Sequence, residues 1–193
     1  MKRSAIRVAG QIACALVMLS ACQSQPPAVD ATPLPSVAEP PYLCGHIPKK
    51  AAELMTGARD PIVVGFLNEW RDGVGYGTCG TYQSTGERAQ LLHVILDSNG
   101  ARGQVDELLK DGGKLLPEIL PGSHGAYLRD PERETRVAAL VVRGKARLSV
   151  ELVRGVKGRN NAADVVALTK LIVPKLLAGA DTASPSPSQQ KGH

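Results

Sequence analysis

Apolar residues recur along this chain at two spacings, one suited to helices and one to strands. From Ile47 to Gly57, Pro48 stands near the start, a run of Lys, Ala, Glu, Leu and Met follows, and a glycine closes the segment, which predicts a helix. Pro61 to Trp70 begins apolar and β-branched and turns aromatic, reading as a strand or as a loop packed on the core. Thr78 to Ser84 predicts a short strand carrying Cys79, Thr81 and Tyr82. Leu91 to Asp97 is nearly continuous in apolar side chains, as in a central strand covered on both faces. Gly103 to Lys110 predicts a helix with Val105, Leu108 and Leu109 on one side and Gly112 ending it.

The sharpest local pattern surrounds Gly144-Lys145, where glycine at the first turn position suits a two-residue type II′ hairpin. That turn sets Val141 opposite Leu148, Ala139 opposite Val150 and Val137 opposite Leu152, all on one apolar face. The other face then holds Val142 with Arg147, Leu140 with Ser149, and Ala138 with Glu151. Asn161 to Ala178 predicts a terminal helix capped by Asn160 or Asn161, burying Val165, Leu168, Ile172 and Leu176. Pro174 should bend it, because its ring displaces the Lys170 carbonyl, and Gly179 ends it. Helices at both ends and antiparallel strands between them predict an α+β domain: a single antiparallel sheet with N- and C-terminal helices packed on it.

The chain's first residues obey different rules. Lys2, Arg3 and Arg7 precede an apolar run from Ile12 to Leu19, a secretory signal too short for the ~20 apolar residues of a spanning helix. Leu19-Ser20-Ala21-Cys22 resembles a bacterial lipobox, in which Cys22 receives a diacylglycerol and becomes the mature first residue. The expected organisation is a signal peptide over 1–21, the lipidated cysteine with a Pro-rich linker over 22–41, one domain over 42–179 and an unfolded tail over 180–193. The linker contains Pro26, Pro27, Pro33, Pro35, Pro40 and Pro41, and at ~3 Å per residue it predicts a semi-stiff stalk tens of ångströms long. The localisation this implies is the extracytoplasmic face of a cell membrane.

Charge changes little once the signal is set aside. Removing Lys2, Arg3 and Arg7 from 23 basic residues leaves 20 against 18 acidic ones, a net of +2, which argues against nucleic acid as a partner. The cysteines sort by position. Cys14 leaves with the signal, Cys22 is the lipid site, and Cys44 and Cys79 remain as the pair expected in an oxidising compartment. A metal pair or redox dithiol fits less well, since there is no Cys-x-x-Cys and no clustered histidine.

Catalytic signatures are absent: no Gly-x-Ser-x-Gly, no His-Glu-x-x-His, no Ser-x-x-Lys with its companions, and no Ser-His-acid triad. Gly73-Val74-Gly75-Tyr76-Gly77 reads as a flexible turn before the cysteine strand. His46 reads as a capping or surface residue, His93 as a satisfied core histidine, and His124 as a residue of an exposed loop, placed like a site residue. Trp70, Tyr76 and Tyr82 flank the cysteine loop and are candidates to line a ligand cleft, with core packing as the alternative. Between Glu132 and Arg159 eight basic residues face three acidic ones, so a hairpin bearing Arg143, Lys145 and Arg147 is a candidate surface for anionic headgroups or a wall polymer; a solvated hairpin of mixed charge is the alternative.

Taken together, Leu19 to Cys22, Cys44 just before a helix with Ala51, Leu54 and Gly57, and Cys79 on the following strand resemble small cysteine-paired lipoproteins of actinobacteria, a family whose domain has no assigned function. That family often places a Trp two residues after the second cysteine, where this chain has Thr81 followed by Tyr82. The resemblance implies an envelope-anchored, non-catalytic domain, with no cofactor, metal or catalytic residue to carry over. The expected function is a ligand-binding or accessory module taking a small apolar or wall-derived ligand. The alternatives are a protein-interaction subunit or inhibitor of another envelope protein and, last, a hydrolase.

Overall fold

The structure, a computed structural model, describes residues 29–181. The signal, Cys22 and the tail beyond residue 181 lie outside the described residues. In chain order the elements are β1 (Tyr42–Leu43), β2 (Ile47–Pro48), α1 (Lys49–Thr56), β3 (Ile62–Leu67), β4 (Gly77–Tyr82), β5 (Gln90–Asp97), α2 (Arg102–Lys110), β6 (Lys114–Leu115), β7 (His124–Arg129), β8 (Val137–Arg143), β9 (Ala146–Leu152), α3 (Asn161–Leu176) and a closing 3-10 turn, Ala178–Asp181. The domain is α+β with a large antiparallel sheet. Seven strands run in the order β3-β4-β5-β9-β8-β7-β6, and β1 and β2 form a separate two-stranded ribbon, so the expected single sheet is two.

The hairpin register is as the alternation predicts. Val137, Ala139 and Val141 pair with Leu152, Val150 and Leu148, and Arg143 with Ala146 closes the two-residue turn. These inward residues are buried in one cluster with Leu92, Val94 and Leu96 of β5, the α1 residues Ala51, Ala52 and Met55, and Val165, Leu168, Ile172 and Leu176 of α3. Each fully buried aliphatic of that stripe contributes roughly 1.5–3 kcal/mol. Gly57, in the left-handed region, ends α1 and donates its N–H to the Glu53 carbonyl. At α3 the Asn160 side chain accepts from the Ala163 N–H at 3.2 Å, satisfying one orphan donor of the first turn.

Three expectations change. β5 alternates buried Leu92, Val94 and Leu96 with half-buried His93, Ile95 and Asp97, because its outer face is not covered as its inner face is. The helices do not share a face. Val105 of α2 packs with Ala126 and Val142, outer-face residues of β7 and β8, so α2 lies on the sheet face opposite α3. The Pro-rich segment is not a free stalk over its described part. Leu34 enters the core, and Arg159 donates to the carbonyls of Asp30 and Thr32, so residues 29–34 form a strap across the domain.

Cys44 and Cys79 form a disulfide with a Cα separation of 6.0 Å, fastening the β1–β2 ribbon to β4. Replacing both by serine opens a loop with a sequence separation of 35. The chain-entropy relation then predicts a loss of about 3–4 kcal/mol, read as a lower denaturant midpoint with little change in slope.

Candidate functional site

The residues singled out as candidate cleft linings do not meet. Trp70 is 4% exposed, and its N–H donates to the Leu176 carbonyl at 2.8 Å, joining the β3–β4 connection to the end of α3. A Cβ at Gly75 would stand 2.7 Å from the Trp70 ring, so the indole is a packed wedge. Tyr76 lies outside the sheet, 54% exposed, with its ring edge-on to Phe66 at 5.9 Å. Tyr82 lies half-buried along β4 over Gly80. His124 is exposed, but it opens strand β7 opposite Val142 instead of sitting on a loop. Three strands separate β7 from β4, a span of about 19 Å at ~4.8 Å per strand.

The remaining histidines differ from expectation too. His93 is not a core residue; it lies half-buried on the outer sheet face, its Nε2 2.8 Å from the Thr78 hydroxyl. His46 is half-buried beside Leu67, Asn68, Glu69 and Arg71, with a buried Nδ1 lacking a hydrogen-bond partner. Among the described residues no group of three His, Cys, Asp or Glu could hold a metal, and no helix is long and apolar enough to cross a membrane.

The basic hairpin is largely engaged internally. Arg143 is buried, its Nη1 donating to the Leu177 and Ala178 carbonyls at 2.7 Å and its Nε to Pro121 at 3.0 Å, so it caps the C-terminal end of α3. Arg147 binds Asp97 through Nε and Nη2 at 3.0 and 2.6 Å. Arg136 donates to Glu151 at 2.7 Å. Charge counting saw the cations but not these partners.

Two surfaces remain, neither visible in the sequence. One is the outer edge of the sheet. β3 is its terminal strand; Val64 and Phe66 stand exposed on its outer face, at 56% and 53%, with Tyr76 edge-on to Phe66, while Val63 is exposed on the opposite face and Val74 in the adjoining hairpin. The β3–β4 connection beside them is a hydrogen-bonded hairpin. Asn68 donates to Tyr76, and Arg71 and Val74 exchange bonds of 2.9 Å, so the glycine-rich stretch is ordered by backbone pairing. Gly65, at φ +99°, lies midway along β3, where an added Cβ would stand 2.0 Å from the Thr78 carbonyl oxygen.

The other is a cleft of about 780 Å³ under the strap, lined by Val29 and Asp30, by Lys50, Glu53 and Leu54 of α1, by Arg59 and Asp60, and by Val156, Lys157 and Arg159. Arg159 is its anchor. Its Nε and Nη2 reach the two oxygens of Asp164 at 2.9 and 2.8 Å, both side chains being almost wholly buried. These bonds hold the guanidinium pKa above its ordinary value. Lys49 takes both Asp60 and Glu53, which lowers the Asp60 carboxyl and raises the Lys49 ammonium, in each case chiefly through their shared hydrogen bond. Hydrogen bonds from Thr32 lower Asp30, and one from Arg71 lowers Glu69.

Two outcomes follow. Asp164→Asn strips the buried Arg159 of its counter-charge and costs about 3–5 kcal/mol, measured as a fall in thermal midpoint. Asp30, Asp60 and Glu69 all have folded pKa values below their ordinary ones. Their contribution is thus complete above the ordinary carboxylate range and is lost as pH falls through the lowered values, so melts should weaken progressively below about pH 4. Comparison with known proteins finds no matching family model, and no curated protein or solved structure matches the chain.

Proposed function

We propose that this chain is a lipid-anchored accessory module on the extracytoplasmic face of a bacterial cell membrane, non-catalytic, and that it works by docking another envelope protein. Leu19-Ser20-Ala21-Cys22 supports the diacylglyceryl anchor, as does the resemblance to small cysteine-paired actinobacterial lipoproteins. The Cys44–Cys79 disulfide suits an oxidising compartment.

The observation that carries the docking role is the exposed apolar group Val64, Phe66 and Tyr76 on the outer face of the β3 edge. Contiguous apolar surface of this kind marks interaction sites on soluble domains. The edge bears no charge over Ile62–Leu67, so the fitting partner is a protein presenting an uncharged apolar strand or loop. A small apolar ligand would need an enclosed pocket; the cleft under the strap instead carries seven ionisable side chains among its eleven lining residues, which suits such a ligand poorly.

Intact mass spectrometry of protein taken from its own membrane tests the anchor: cleavage before Cys22 with added acyl chains is expected, and an unacylated mass overturns it. For docking, a photo-crosslinking residue at Val64 or Phe66 in living cells should trap one protein, identified by its peptides, while the same residue at exposed Val37 should not. Val64→Ser with Phe66→Ser should abolish that adduct at nearly unchanged stability, since both side chains are exposed. Equal adducts from all three positions, or none from the edge, would sink the docking role.

A further inference from the structure

The strap decides how far the domain can stand from its anchor and which side it turns to the lipid. Tyr42, where the folded domain was expected to begin, is twenty residues beyond Cys22, a reach of about 70 Å at full extension. The strap shortens it. Val29 packs against Gly158, where an added Cβ would stand 3.1 Å from the valine. Arg159 grips the carbonyls of Asp30 and Thr32, and Leu34 is in the core. Val29 is then only seven positions beyond Cys22, a reach of about 25 Å at most.

The chain joins the domain beside the cleft already described. Three of its cations, Lys50, Arg59 and Lys157, are exposed and make no ion pair among the described residues. The cleft's carboxylates are otherwise engaged: Asp60 and Glu53 by Lys49, Asp30 by the Thr32 N–H at 2.9 Å. Lys49 offsets only one of the two carboxylates it binds, and an N–H leaves the Asp30 charge standing, so three cations face two uncompensated carboxylate charges; the rim keeps a small positive excess where the lipid-bearing segment enters.

We infer that this end of the domain, with Lys50, Arg59 and Lys157, rests on the anionic phospholipid headgroups of the leaflet that holds the Cys22 anchor. The inference rests on the lipid-anchor reading and adds an orientation and a ligand class, the headgroup phosphate. α3 sets the axis. Its N-terminus follows Arg159, and its C-terminus lies about 24 Å away beneath Arg143 and the Gly144-Lys145 turn. Lys145 is thus on the far end, beyond the ~8 Å Debye length of physiological salt. The basic hairpin suggested by the charge count is not the lipid contact.

The test uses the mature acylated chain in vesicles of phosphatidylcholine, with or without phosphatidylglycerol. A dye is attached at Glu132, in the loop next to the α3 N-terminus, or at Ser98, beside the Gly144-Lys145 turn, and energy transfer to an acceptor lipid is read. Stronger transfer from position 132 than from 98 is expected when phosphatidylglycerol is present. Each cation should contribute about fivefold to the upright population at low salt, so Lys50→Gln, Arg59→Gln and Lys157→Gln together should reduce it roughly a hundredfold. These exposed residues lie outside the core, so the variant folds. Leu34→Ser, which frees the strap and leaves Arg159 and Asp164 in place, should narrow the difference between the two dyes. Equal transfer from both positions on an acylated chain overturns this inference alone. An unacylated mass from the same membranes overturns the anchor reading and this inference with it.

Discussion

A single buried guanidinium links parts of this molecule that are far apart in sequence. Arg159 sits just before α3, binds both oxygens of Asp164 in that helix's first turn, and spends its remaining donors on two carbonyls more than a hundred residues upstream. Burying such a charge is costly unless its donors are answered, and here Nε, Nη1 and Nη2 each have a partner. A carboxylate in the first turn also sits at the positive end of the helix dipole. The same side chain therefore orients the start of the core helix, fixes the loop leading from β9, and holds the N-terminal strap down. The main apolar cluster needs α3 in place, and the path of the chain toward Cys22 depends on the strap.

The opposite end is organised by the same logic with the signs exchanged. The carbonyls at the C-terminal end of α3 accept from buried Arg143, and the backbone N–H of Trp70 donates to the carbonyl of Leu176. Both contacts answer orphan groups that a helix end leaves open. They also bring the β8–β9 turn and the β3–β4 hairpin against one helix terminus. Of the two arginines that a charge count would offer to a membrane, one is absorbed as a helix cap and the other by Asp97.

Much of the fold was legible in the sequence where a local pattern has one mechanical solution. The β8–β9 register follows from period-two alternation about a glycine turn, and a slip of one residue would have turned Val137, Ala139 and Val141 outward. The disulfide followed from the two thiols left once the expected signal and lipid-site cysteines are set aside. What stayed hidden was set by partners distant in sequence. Leu34 is one apolar side chain among prolines, and composition cannot tell that Arg159 waits for the carbonyls beside it. Trp70 and Tyr76 are both aromatic and six residues apart, yet one is sealed by Gly75 and the other stands in solvent beside Phe66. A nearly continuous apolar run at Leu91 to Leu96, broken only by His93, reads as doubly buried, but in an antiparallel sheet it belongs to a strand with one face less covered than the other.

Orientation and docking constrain each other. β3 leaves the cleft at Pro61 and runs toward the hairpin at Trp70, the end held by the C-terminus of α3. With the cleft against lipid, Val64 and Phe66 rise away from the bilayer, and Tyr76 returns beside them. An apolar patch near headgroups would compete with the membrane for its own surface; one raised on the outer edge of the sheet stays accessible to a protein. With the lipid anchor proposed above, the short leash would have a purpose distinct from attachment. A domain on a leash of about 70 Å would present its edge in all directions, whereas one held within about 25 Å and seated on its cationic rim presents it in few. Restricting that freedom before encounter lowers the ordering cost of binding, which is what would let the small apolar patch at Val64, Phe66 and Tyr76 serve the partner proposed above.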